Sequence, residues 1–400
     1  MNLTSSHPFW SVNNGLPANY PSLQRNVSCD AVVIGGGITG ALAAVHLADA
    51  GVKTLVLDKR DIGTGSTSAS TALLQYEIDV PLRELIKKVG PFDATRIYRL
   101  CRAAVGKLEQ LAARLKIACG FERKPSLLLA RHPREIPEFR EEFQLRRKMG
   151  IELEFYDATA IRARFPFSRP AALFSKVGGQ VDPHRLTHGL LAEGKRAGLE
   201  VYDRTRVTRL EETRRGVRIT TLNGCQVTAR RAVMAAGFES EALLNAGAGT
   251  FKSTYALISE PLPKIPGWHR QCLIWESGMP YLYLRTTTDG RVIVGGEDEN
   301  FVNAKRRDAL ISQKTRTLVK KFGRLFPDRP LEVAYAWAGT FGETKDGLPY
   351  IGVHPRFPHV CFALCYGGNG ITFSVIAAEI LRDYFIRRTN RDARLFRFGR

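Results

Sequence analysis

The chain has 400 residues, 44% of them hydrophobic, with 59 Lys and Arg against 39 Asp and Glu and a formal net charge of +20. That length gives ample core for one large or two intertwined domains, and the apolar fraction excludes a disordered chain. No apolar run approaches the roughly 20 residues of a membrane span, and Met1 to Asn26 has neither the basic nor the apolar region of a secretory signal, so a cytoplasmic enzyme is expected.

The chain opens with a Pro- and Asn-rich arm, residues 1–26, expected to wrap the first domain. An apolar β-branched run, Ala31 to Ile34, then enters a G-x-G-x-x-G turn at Gly35, Gly37 and Gly40. An alanine-rich helical stretch follows to Ala50, Gly51 stops it, and a second apolar run, Thr54 to Leu57, ends at Asp58. This is a complete βαβ unit. Gly35 makes the tight turn, Gly37 lets backbone approach a pyrophosphate, and Gly40 lets the helix pack closely on the strand. Helix N-terminal amides face the phosphates, and Asp58 is placed to accept from a ribose hydroxyl. A dinucleotide site is therefore expected, against the plainer alternative of a glycine turn that only packs a helix.

Residues 61–75 read as a small-residue loop, and 93–117 as an amphipathic helix with Ile97, Leu100, Ala104, Leu108, Leu111 and Leu115 on one side. An apolar strand at 126–130 and a basic helix from Glu135 to Lys148 come next. A helix over 182–198 has Asp182 as N-cap and Pro183 at its first position. Short strands follow at 200–202, 207–211, 217–221 and 231–235, the last entering A-A-G at Ala235 to Gly237. Alternating strands dominate 254–295, with an Asp289-Gly290 turn between 281–285 and 291–295. A helix over 305–323 precedes the close: strand Val360 to Cys365, a glycine turn, and helix Thr372 to Phe385. Nucleotide-binding pattern thus opens the chain, returns near 200–237 and returns again at 340–385. Such interleaving argues against a simple NAD dehydrogenase, whose dinucleotide domain is contiguous.

The seven cysteines show no metal-like pairing, and Cys361 and Cys365 read as buried small hydrophobes on one strand face. His184 and His188 sit four apart on a helix, which alone makes no metal site. Positive charge crowds 96–148 and 382–400, where Arg99, Arg102 and Arg114 read as solvated helix faces. No aromatic interleaving or nucleic-acid motif accompanies it, so nucleic acid is not the expected partner.

Five segments in order carry a resemblance to the D-amino acid oxidase family of FAD-dependent oxidoreductases, in its glycine oxidase-like and gamma-glutamylputrescine oxidoreductase-like branch. They are D-A-V-V-I-G-G-G-I-T-G at 30–40 with G-S-T-S-A-S at 65–70; Q-V-D-P-H-R-L at 180–186 with R-T-R-V-T-R-L at 204–210; A-A-G at 235–237; Y-L-Y-L-R-T-T-T-D-G-R-V-I-V-G-G at 281–296; and W-A-G-T-F-G-E-T-K-D-G-L-P-Y-I-G at 337–352 with Y-G-G-N-G-I-T at 366–372. The resemblance implies a Rossmann-like, glutathione reductase-type α/β FAD-binding domain (1–80, 175–240 and 338–400). It is interleaved with an α+β substrate domain on an antiparallel sheet (81–174 and 241–337).

The resemblance also implies FAD, bound non-covalently because Gly339 stands near the position of a covalent-attachment cysteine. Asp58 would hold the ribose and Val207 the adenine. Gly35, Gly37, Ile38, Thr39 and Gly40 would bring the turn and the helix N-terminus to the pyrophosphate, and Lys59 is a further cofactor-binding position. Ser66, Thr67, Ser68, Ser70 and Thr71 would surround the pyrophosphate and flavin edge, and Ala236 and Gly237 would let the chain pass close. Gly368, Asn369, Gly370, Ile371 and Thr372 would set backbone amides at the flavin's pyrimidine end, where positive partial charge stabilises the reduced, anionic ring.

Departures from the family pattern bear on the substrate. Phe341 and Gly368 stand where glycine oxidase-like proteins have arginines, and Thr372 where sarcosine oxidase-like proteins have a lysine. Leu74 and Gln75 fall about where the latter have another arginine. A simple amino acid is therefore not the expected substrate. Arg285 either replaces the missing cation or is a strand-end residue bonded to backbone or solvent. No lysine stands near Tyr283 or Arg285 to activate oxygen, which leaves the electron acceptor open between oxygen and another species. Gln75, Tyr76, Glu77 and Asp79 follow the flavin loop; their acids either attract a cationic amine or begin a solvated helix. Tyr281, Tyr283 and Phe341 are expected to line the pocket. The reaction expected is oxidation of an amine C–N bond by hydride transfer to the flavin, followed by hydrolysis. The alternatives are oxidation of a 2-hydroxy acid or polyol phosphate, and an FAD-domain protein acting on RNA.

Overall fold

The computed structural model describes residues 2–5, 7–244 and 249–400. Strand Val27–Ile34 buries all of Ala31 to Ile34 and runs parallel to Thr54–Leu57 on one side and Gln226–Met234 on the other. A fully buried run of this kind is what a parallel strand covered on both faces requires. Glu200–Tyr202 extends the sheet beyond Thr54–Leu57, again parallel. Gln226–Met234 forks. Its first half carries the antiparallel meander of Val207–Thr213 and Gly216–Thr221, and its second half pairs in parallel with Phe357–Leu364. The chain therefore enters this sheet three times, which is the interleaving read from the sequence.

Helix Ile38–Asp49 starts at Gly37 and packs on helix Gly370–Phe385. The glycine roles follow from contact distances. Gly35 has φ +111°, and a β-carbon there would lie 2.4 Å from Ala235 O; one on Gly40 would lie 1.8 Å from Gly35 O. The turn can form only without both side chains.

The second large sheet runs, edge to edge, Val333–Glu343, Thr250–Ser259, Val292–Glu299, Leu282–Thr286, Leu273–Glu276, Ser126–Leu129, Ala171–Ser175 and Leu153–Asp157. It is antiparallel as expected except for one parallel pair, Leu273–Glu276 on Ser126–Leu129. Helix Ile311–Leu325 covers it, burying Leu318, Phe322 and Leu325 in a core with Phe326 and Trp268.

Several local expectations change. The loop 61–75 contains a helical turn, Ser66–Ala69, and a strand, Leu73–Gln75, which joins Gly178–Gln180 and Glu122–Arg123 in a small third sheet. The strand over Val360–Cys365 is Phe357–Leu364, so Cys365 lies beyond it. The N-terminal arm first follows the second sheet: Thr340 N donates to Leu3 O at 2.7 Å and Ser5 N to Ala338 O at 2.9 Å. Only farther on, at Tyr20 and Leu23, does it bond beside the first sheet, to Arg204 and Thr205. The helix Pro183–Arg196 is capped as read: Asp182 Oδ1 accepts from His184 N and Arg185 N, both at 2.9 Å.

Candidate active site

A cavity of about 530 Å³ runs between the two large sheets, from the end of strand Thr54–Leu57 to the start of helix Gly370–Phe385. At one end stands Asp58. Its Oδ2 accepts from Gly36 N at 2.7 Å and its Oδ1 from Arg60 N at 2.8 Å. Burial raises the pKa of this carboxyl, and these bonds oppose the rise. Lys59 and Arg60 both pair with Glu239, at 2.7 and 3.0 Å. Val207 and Arg206 complete this end.

The middle is walled by Gly35, Gly37, Ile38 and Thr39 on one side and by Ala236 and Gly237 on another. Thr67 Oγ1 accepts from Ile38 N at 3.0 Å, and a β-carbon on Gly37 would press on that same oxygen. Ser66, Thr67, Ser70 and Thr71 reach the cavity, and the Ser66 hydroxyl is buried there without a hydrogen-bond partner. Ser68 does not reach it. Its side chain is turned into the helical turn, donating to Gly65 O at 2.9 Å. Gly40 likewise is a packing position.

The loop behind these hydroxyls is held by three long side chains on three successive carbonyls. Trp337 Nε1 donates to Ala69 O at 2.9 Å, Trp10 Nε1 to Ser70 O at 2.7 Å, and Arg285 Nε to Thr71 O at 2.6 Å. Arg285 also donates to Val181 O and Thr286 O and is 2% exposed. It does not line the cavity. Of its two readings, replacement for the missing cation and a strand-end residue bonded to backbone, the second matches these bonds: its guanidinium is spent on backbone carbonyls, and burial pulls its pKa down to about 9.

At the far end, Asn369 Nδ2 donates to Gln75 O and Glu77 O, and Thr372 Oγ1 to Gln75 O. These bonds tie the glycine turn to the strand that ends the loop. Thr372 itself lies off the cavity, while Gly368, Asn369, Gly370 and Ile371 line it. Among the described residues neither N-cap, Gly37 or Asn369, bonds its own helix with a side chain; Thr67 takes the Ile38 amide, and the other first-turn amides of both helices are left for a ligand. Tyr281, Tyr283 and Phe341 line this end. Tyr283 lies over Gly295, where a β-carbon would meet its ring at 2.2 Å.

Glu77, Asp79 and Asp298 line the cavity too. Asp79 Oδ2 accepts from Gly368 N at 2.7 Å. Burial pushes the Asp79 carboxyl up to about 6, with Glu343 and Asp298 adding to the rise. Glu77 is pushed up to about 7 by burial, opposed by Arg146 at 3.5 Å. The solvated-helix alternative for these acids is thus set aside. Asp298 was not anticipated from sequence. It follows the pair Gly295-Gly296, whose backbone at Gly296 has φ +131°, and that glycine pair was the available signal.

These features fit FAD. An elongated cavity has a ribose-type carboxylate at one end, an unpartnered serine hydroxyl midway, two helix N-termini whose N-cap residues supply no side-chain cap, and glycines that admit no β-carbon. The sequence model described as FAD dependent oxidoreductase matches residues 30–384. The chain belongs to that family. Among its relatives, gamma-glutamylputrescine oxidoreductase of Escherichia coli (strain K12) is 28% identical over 395 residues, covering 95% of this chain and 88% of that protein. Glycine oxidase of Bacillus licheniformis is 26% identical, covering 89% and 93%. The fold is shared with the crystal structure of glycine oxidase from Geobacillus kaustophilus, at TM-score 0.76, 20% identity and coverage of 91% and 96%. No helix among the described residues of this FAD-dependent oxidoreductase is long and apolar enough to cross a membrane.

Proposed function

We propose that this FAD-dependent oxidoreductase oxidises the C–N bond of an amine to an imine, which water then hydrolyses to a carbonyl and a released amine or ammonia. A neutral amine loses a hydride equivalent from its α-carbon, and the nitrogen lone pair forms the C=N bond. FAD, when bound, supplies the two-electron acceptor.

One observation carries the reading. The cations that line the cavity among the described residues, Lys59, Arg60 and Arg206, neighbour Asp58, whereas the end with Tyr281 and Gly368 has Glu77, Asp79 and Asp298. A 2-hydroxy acid or a polyol phosphate would meet carboxylates there and no cation. An amine arriving protonated is attracted. Tyr281, Tyr283 and Phe341 would shape the site and exclude water. The names of the relatives from Escherichia coli and Bacillus licheniformis agree with nitrogen-containing substrates.

The cofactor would be held without a covalent bond. Gly339 offers no attachment atom, and burial pushes the cavity-lining Cys365 thiol up to about 12, far from a nucleophilic thiolate. The FAD-binding part comprises 1–80, 175–240 and 338–400, and the substrate part 81–174 and 241–337. The test is anaerobic mixing of the FAD-loaded protein with amines, N-methyl amino acids and 2-hydroxy acids. Loss of flavin absorbance with amines supports the reading; loss with hydroxy acids alone overturns it.

A further inference from the structure

The reacting nitrogen of an amine must be neutral when its α-hydride leaves, because the lone pair forms the new π bond. A wall of carboxylates beside such a nitrogen stabilises the protonated, unreactive form, which wastes binding on the ground state. The far end of this cavity nevertheless concentrates negative charge. Asp79 has one hydrogen bond among the described residues, from Gly368 N. Asp298 Oδ1 is buried without a partner. Glu77, 3% exposed and lining the same cavity, has its Oε2 unpartnered as well. The nearby cation Lys252 does not line the cavity and is held by Glu343 at 2.6 Å. Asp79, Glu343 and Asp298 together act on the Tyr281 phenol, whose pKa rises first through burial and then through their charges.

We propose that the substrate is a diamine or polyamine, in which one nitrogen is oxidised while a second, permanently protonated nitrogen is held by Asp79 and Asp298. This rests on the amine reading and narrows it. The second ammonium gives the carboxylates a charge that persists through the reaction, so their attraction positions the substrate without trapping the reacting nitrogen in its protonated form. Cavity-lining carboxylates with free lone pairs bind an ammonium by short, charge-assisted hydrogen bonds.

The experiment uses the FAD-loaded protein and two readouts. The first is the concentration dependence of anaerobic flavin reduction by 1,4-diaminobutane, butylamine and 4-aminobutanoate. The second is the difference spectrum of the oxidised flavin on titration with 2,5-dimethylhexane-2,5-diamine and 2-methylhexan-2-amine, whose ammonium groups keep their N–H donors and which cannot be oxidised because the carbon beside each nitrogen bears no hydrogen. The dications are expected to half-saturate at roughly tenfold or more lower concentration than the monocations, with 4-aminobutanoate weakest. Asp79→Asn and Asp298→Asn, each checked for retained flavin, are expected to shrink that ratio. A merely structural role would weaken both ligands alike and leave the ratio standing. Equal affinity for dication and monocation overturns the inference. If the dication is preferred but no amine bleaches the flavin, the cation site stands and the amine-oxidation reading falls. If amines bleach the flavin with no preference for the dication, the reading stands and this inference falls.

Discussion

The Asp79 carboxylate covers Gly368. Its Oδ2 accepts the Gly368 N–H at 2.7 Å, and its Oδ1 lies 2.6 Å from the point a β-carbon at 368 would occupy. Residue 368 can have no side chain while Asp79 keeps this place, and the acid takes the space at the mouth of the glycine turn. Gly368→Ala is therefore expected to displace Asp79 and raise the half-saturating amine concentration by about three- to tenfold, the range of a weakened charge-assisted bond. Titration of anaerobic flavin reduction gives the value; an unchanged concentration would remove Asp79 from the substrate site.

Arg285→Ala deletes bonds to Thr71, Val181 and Thr286 carbonyls and leaves those groups buried. Each lost bond of this kind costs about 1–3 kcal/mol. The expected outcome is a lower unfolding midpoint and weaker FAD retention, with the order of preference among substrates unchanged. A variant of full stability that instead loses selectivity for amines would restore Arg285 to the substrate site.

Glu77 gives a pH-dependent stability of unusual sign. Its folded pKa, about 7, lies above the ordinary glutamate value because burial penalises the charge. The folded state then binds the proton more tightly than the unfolded chain, so its contribution is fully present below the unfolded pKa and is lost as pH rises toward 7. Glu77→Gln keeps Arg146 paired with Glu142 at 2.6 Å and is expected to remove the share of this slope due to Glu77, leaving that of Asp79, whose carboxyl is raised to about 6. Denaturant melts of the FAD-free protein at several pH values between 4.5 and 8 measure it, against an expected fall of roughly 1–3 kcal/mol in the parent chain. Parallel slopes in both proteins would refute the assignment.

Among the described residues no lysine lines the far end of the cavity, and Lys252 is engaged by Glu343. Re-oxidation of the reduced protein by oxygen is expected to be slower, by about tenfold or more, than by an artificial quinone or dye at equal concentration. Stopped-flow mixing of the reduced protein decides it, and faster re-oxidation by oxygen would make the protein an oxidase.

The βαβ turn was legible because part of its requirement is local: Gly40 is set by Gly35 O and Gly35 by its own φ of +111°, although the atoms a β-carbon at Gly35 would strike belong to the distant Ala235 and Ala236. The Asp182 cap was legible for the same reason. Arg285 was not, since a strand-end arginine has the same neighbours in sequence whether it faces a cavity or three distant carbonyls. Asp298 and the turn Ser66–Ala69 were missed because small or polar local sequence does not say which tertiary partner will fix it. The arm's path was legible only in part, because it bonds to Val333–Glu343, over three hundred residues away, before it reaches the edge of the first sheet at Tyr20 and Leu23.

The carbonyls of Ala69, Ser70 and Thr71 are held by residues 337, 10 and 285. A chain emerging from the ribosome with its glycine turn complete still lacks two of these three holds, and it gains the last only once Trp337 has been made. A product truncated before Trp337 would have its nucleotide motif intact and its flavin loop without the bond from Trp337 to Ala69 O.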